Sequence, residues 1–112
     1  MKYMKNCLVY SMNKEKILNL MGLAARARMT ILGEELVIKT ISNNPNSIVF
    51  LAQDSGNNIT KKIRNKTKTY NCYLVEDFTS SELSKTIGKQ NRKIVLVTDK
   101  GFINKFLEYI NS

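Results

Sequence analysis

Ile48-Val49-Phe50-Leu51-Ala52 is an unbroken apolar run, with Asn43-Asn44-Pro45-Asn46 before it and Gln53-Asp54-Ser55-Gly56-Asn57-Asn58 after it. A short continuous apolar stretch between turn formers reads as a strand buried on both faces, because a half-exposed strand alternates polar with apolar. Cys72-Tyr73-Leu74-Val75 and Ile94-Val95-Leu96-Val97 have the same character. Helical periodicity separates the runs, so the connections cross over, and the strands form a mainly parallel or mixed sheet with helices on both faces. In such sheets ligands usually bind beyond the C-terminal strand ends, which draws attention to residues 53–58.

The helices are read outward from that strand. Ile17, Leu18, Met21, Ala24 and Ala25 recur at helical spacing over residues 13–27, and this helix runs out in Arg26 and Arg28. Basic residues oppose the negative end of a helix dipole; these two also stand a few residues before Gly33, so they suit both capping and anion contact. An extended link over residues 29–32 leads to a second helix over residues 33–42, with Leu36, Val37, Thr40 and Ile41 as its inner side. Residues 43–46 stop it. A third helix over residues 59–70 turns Ile59, Ile63 and Tyr70 inward and Lys61, Lys62, Arg64, Lys66 and Lys68 outward. After a loop over residues 76–81, Thr79 and Glu82 make a capping box, Leu83 and Ile87 face inward, and Gly88 closes a fourth helix. From Asp99 a last amphipathic helix carries Phe102, Ile103, Phe106, Leu107 and Ile110.

A chain of 112 residues fits one domain with one core. The regular pattern starts just after Met12, so residues 1–12 read as an N-terminal extension, with Met12 a candidate internal start, and residues 13–112 as the domain. No segment has the character of a secretory signal or approaches the length of a membrane span. Cys7 and Cys72 lack a C-x-x-C spacing or any histidine to share a metal, and read as reduced cysteines of a cytoplasmic protein.

Eighteen lysines and arginines stand against nine acids, with no histidine, for a formal charge of +9. A field of that size calls for a polyanionic partner. In the third helix the cations from Lys61 to Lys68 have no acid among them. Like charges three or four residues apart repel, so that face points to phosphate. No general base, Cys-His pair or Gly-rich phosphate loop is present, which sets catalysis aside, and no cofactor or metal is called for. Glu34 and Glu35, about 100° apart on a helix, would not converge on one ion.

The stretch Ile31-Leu32-Gly33-Glu34-Glu35-Leu36-Val37-Ile38-Lys39 is the candidate reading head for RNA. A helix start leaves backbone N–H groups without partners, glycine lets a base or phosphate approach, and glutamate accepts hydrogen bonds from base amino groups. The same residues also describe an ordinary helix start, since carboxylates there oppose the dipole. Phe78 has two readings, as a platform for an unstacked base or as a hydrophobic staple beneath the capping box.

Several segments together resemble the bacterial YlxQ-type proteins of the L-seven-Ae superfamily: Gly22-Leu23-Ala24-Ala25-Arg26-Ala27-Arg28, Gly33-Glu34-Glu35-Leu36-Val37-Ile38-Lys39, Ala52-Gln53-Asp54, Thr60-Lys61-Lys62-Ile63, Glu82-Leu83-Ser84-Lys85-Thr86-Ile87-Gly88-Lys89 and Val97-Thr98-Asp99-Lys100-Gly101-Phe102. The resemblance spans nearly the whole chain. It implies a three-layer α/β/α sandwich with a central mixed four-stranded sheet, and recognition of the kink-turn, a sharply bent RNA internal loop. The expected partners are structured, ribosomal RNA and ribosomal proteins, with the protein itself a monomer. By position, Gly33 opens the RNA-reading helix, Lys39 faces phosphate, and the loop holding Phe78, Thr79 and Ser80 covers a flipped-out nucleotide. The chain departs from the pattern at Glu35-Leu36, where kink-turn binders often carry Asn-Glu or Lys-Gln. It departs again at Ser84 in place of a glycine and at Met29 in place of a basic residue. A protein-docking adaptor of the translation machinery and an RNA-modifying enzyme are the alternative functions.

Overall fold

The computed structural model describes residues 13–111, so the extension expected over residues 1–12, Cys7 included, lies outside the described residues. In chain order the elements are α1 (Lys14–Arg26), β1 (Thr30–Leu32), α2 (Glu34–Ile41), β2 (Ile48–Leu51), α3 (Asn57–Thr69), β3 (Tyr73–Val75), α4 (Ser80–Ile87), β4 (Ile94–Val97) and α5 (Lys100–Asn111). They build a four-stranded sheet of order β1-β4-β2-β3. β2 and β3 are parallel, while β4 runs antiparallel to both β1 and β2. Three strands therefore point one way and β4 alone opposes them.

The reversal of β4 follows from where α4 packs. A parallel crossover needs its helix to carry the chain back along the sheet, but α4 packs beside α1 instead. The chain re-enters where β2 finishes, with the Ala52 N–H donating to the Lys93 carbonyl at 2.8 Å. β4 can then run only against β2.

Because successive strand residues face opposite sides, β2 splits its apolar run between two cores. Ile48 and Phe50 meet α1, α4 and α5 on one side, while Val49 and Leu51 meet α2 and α3 on the other. The result is the three-layer α/β/α sandwich. Phe50 anchors the first core, with its ring centroid 4.9 Å from that of Phe106 and 6.2 Å from that of Phe78. No helix among the described residues is long and apolar enough to cross a membrane.

The caps follow their chemistry. Thr79 and Glu82 form both bonds of the capping box, and Gly88 ends α4 in the left-handed region at φ 72°. The extended link is the edge strand β1, and α3 begins at Asn57, two residues earlier than its apolar pattern suggests. One helix face differs from expectation. Leu36, expected on the inner side of α2, is 53% exposed, because Val37 and Ile41, one turn apart, take the buried positions and turn Leu36 about 100° away.

Candidate nucleic-acid interface

Since β1, β2 and β3 point the same way, their C-terminal ends share one edge of the sandwich with the start of β4. Gly33, Ala52, Glu76 and Lys93 stand at that edge. Three strand spacings of about 4.8 Å put the ends of β1 and β3 roughly 14 Å apart.

At the β1 end, Gly33 is the N-cap of α2 with φ 95°, a conformation open to glycine and strained for other residues, and it supplies no side-chain cap. The place a Cβ would occupy has no atom within 4 Å. The start of α2 is therefore open to a ligand. Glu34 is held by Lys62 of α3, Nζ to Oε2 at 3.0 Å, whereas Glu35 and, one turn on, Lys39 are exposed.

At the β3 end the loop is locked from several sides. Glu76 is buried and receives a two-pronged bond from Arg64, with Nε 2.9 Å from Oε2 and Nη2 2.6 Å from Oε1. Asp54, at the end of β2, accepts from the Ser80 N–H at 2.8 Å and from its hydroxyl at 2.6 Å. Those two bonds hold the Asp54 carboxyl below the usual carboxylate range, helped by Lys93. The Thr79 N–H donates to Glu82 and its hydroxyl accepts from the Glu82 N–H. Thr79 and Ser80 thus have their strongest bonds inside the protein.

The reading of Phe78 as a base platform is corrected here. Phe78 is 1% exposed and belongs to the first core with Leu83. It precedes the N-cap Thr79, and Leu83 lies four residues into the helix, the spacing of a hydrophobic staple. Burial takes the apolar area of the ring out of water, which favours this inward position.

The cationic residues fall into separate groups. Lys62 and Arg64 are in the ion pairs just described. Lys61 and Lys68, seven residues apart on one ridge of α3, are exposed. Arg26 and Arg28 are exposed at the opposite end of β1, since Arg28 precedes that strand and Gly33 follows it. Arg28 sits in the left-handed region at φ 60°, directly after the end of α1.

Asp54, Glu76 and Ser84 do structural work that sequence reasoning missed. The Ser84 hydroxyl accepts from the Arg92 N–H at 2.8 Å and donates to the Arg92 carbonyl at 3.3 Å. A glycine could form neither bond. The partner of Asp54 lies 26 residues away and that of Glu76 12 residues away, so no local pattern announces them. An acid just beyond the end of a buried strand is the signal available.

No protein-family model matches the chain. A protein of Enterococcus faecium called RNA-binding protein YlxQ is 42% identical over 98 residues, covering 88% of this chain and 94% of its own length. Its Bacillus subtilis namesake is 39% identical over 92 residues, 82% of this chain and 92% of its own. A solved structure from Bacillus halodurans, described as a protein with unknown function, superposes with a TM-score of 0.80 at 36% identity, covering 87% of this chain and 98% of that one. The Giardia lamblia 15.5kD RNA binding protein shares the fold, with a TM-score of 0.74 at 14% identity over 87% of this chain and 83% of its own. Two relatives near 40% identity, matched along almost their whole lengths, make the chain a member of the YlxQ family.

Proposed function

We propose that the protein is a non-enzymatic RNA-binding protein that takes a structured, kink-turn-like RNA at the edge formed by Gly33 and the loop after β3. The observation that carries this reading is the open start of α2 at Gly33, with positive φ, no side-chain cap and empty space around it, in a chain of charge +9. The names of its relatives agree with it. Glu35 meets base amino groups, and Glu34, steadied by Lys62, does the same beside it. Lys39, Lys61 and Lys68 take phosphates, and Thr79 and Ser80 border the RNA across the edge. Arg64 acts by fixing Glu76 and the loop, and Arg26 and Arg28 contact a longer RNA at the far end of β1.

Leu36 stands exposed on the reading helix, where a kink-turn binder often has Glu or Gln, and offers contact area without a hydrogen bond. Recognition therefore relies on shape and phosphate more than on base edges. The setting is the cytoplasm, with ribosomal RNA the RNA of choice and the protein acting as a monomer beside ribosomal proteins. Crosslinking in cells followed by sequencing of the bound RNA tests this. Crosslinks concentrated at bent internal loops of ribosomal RNA support it, and crosslinks scattered over unstructured messages contradict it.

A further inference from the structure

The end of the sandwich opposite Gly33 holds a cleft that RNA reading at the other edge does not use. Strand register creates it. Ile48 of β2 stands opposite both Val97 of β4 and Tyr73 of β3, which brings the turn before β2 beside the start of α5. Between that turn and α5 lies a cleft of about 450 Å³. Sites for small molecules commonly measure about 300–1,000 Å³ and combine apolar walls with a few polar groups.

Here the apolar walls are Pro45, Ile103 and Leu107, and the polar groups at the mouth include Asn43, Lys100 and Asn104. The asparagines of this region divide by use. Asn44 donates to the Thr40 carbonyl at 2.9 Å, and Asn46, at φ 67°, receives an amide bond from Asn71 at 3.3 Å, so these two shape the turn. The side chains of Asn43, Lys100 and Asn104 have no hydrogen-bond or ion-pair partner among the described residues. The Asp99 carboxylate accepts from the Phe102 N–H at 3.0 Å and caps α5, and it makes no ion pair with Lys100 among the described residues.

We propose that this cleft binds a nucleotide, with the base against Pro45 and Leu107, its edge met by the amides of Asn43 and Asn104, and its phosphate at Lys100. A carboxamide presents a donor and an acceptor side by side, the pairing that adenine offers in return. An ammonium group only donates, and it takes phosphate as a point charge. The excess positive charge of the chain favours an anion over any cationic ligand. The nucleotide is either a free mononucleotide or an unpaired residue of an RNA strand. The proposal does not rest on RNA binding at Gly33, since a mononucleotide needs none of that edge.

The test is titration of the isotope-labelled full chain with AMP, with single-stranded oligoadenylate and with inorganic phosphate, followed by amide NMR. AMP is expected to shift residues 43–47 and 100–107 saturably and to leave residues 34–39 in place. Lys100→Ala and Asn104→Ala should each weaken that binding by about tenfold. Both side chains are exposed and have no partner among the described residues, so the variants keep the fold, and the spectrum itself verifies it. Shifts with AMP assign the site to a free nucleotide; shifts with oligoadenylate alone, lost in the variants, assign it to an RNA strand. The proposal is overturned if neither ligand moves these amides, if both variants bind like the parent, or if inorganic phosphate alone reproduces the shifts.

Discussion

Arg64 grips both carboxylate oxygens of Glu76, and through them ties α3 to the loop that follows β3. The pair is lopsided: the Arg64 side chain is 46% exposed and that of Glu76 only 7%. Arg64→Ala removes the two-pronged partner of a buried carboxylate, which costs about 1–3 kcal/mol. Arg64→Ala with Glu76→Gln should recover part of that loss in urea unfolding. A single variant as stable as the parent would show that water satisfies Glu76 unaided.

Phe78→Ala removes a ring packed against Phe50 and should cost roughly 3–5 kcal/mol. RNA affinity measured on the protein that remains folded should stay near that of the parent. The reverse outcome, intact stability with lost affinity, would restore the base-platform reading.

Asp54 supplies a pH signature. Its carboxyl is held low by the Ser80 bonds, so the folded form releases its proton more readily than the unfolded one. The stabilisation is complete above the ordinary carboxylate pKa and is lost as pH falls through the depressed value. Asp54→Asn should lower the melting temperature slightly at neutral pH and flatten the acid side of the stability profile. An acid limb identical to the parent's would show that the Asp54–Ser80 bonds do not contribute to stability.

Gly33 has empty space around it but a φ of 95°, so substitution is opposed by backbone strain and not by collision. Gly33→Ala should cost on the order of 1–3 kcal/mol, and Gly33→Asn about as much, since asparagine tolerates the left-handed helical region but not a positive φ combined with the ψ of 137° found here. Parent-like stability of either variant in thermal unfolding would show that the backbone at Gly33 is not strained.

The strands were legible where burial was double-sided. β2 and β4 are buried at every residue, and an unbroken apolar run can mean little else between turns. The orientation of β4 was not legible, because it depends on α4 lying against α1, a choice made by packing between helices far apart in sequence. At the site, Gly33 stood out through its position before two acids. Lys62 and Arg64 looked like members of one phosphate face, yet each finds a carboxylate from another element, and no spacing along α3 records that. Phe78 sat in a polar loop, and only its place before the capping threonine hinted that it points inward. The 100° error at Leu36 reflects an eight-residue helix too short for periodicity to fix its phase.

The most direct test of RNA recognition by this basic face is the salt dependence of affinity for an RNA with a sharply bent internal loop. Parent and Lys39→Ala/Lys61→Ala/Lys68→Ala proteins would be compared by fluorescence anisotropy over a range of salt. Each phosphate contact contributes about 0.7–0.9 to the slope of log affinity against log salt. Losing all three should weaken binding and flatten the slope by about two to three. An unchanged affinity with an unchanged slope would contradict the account.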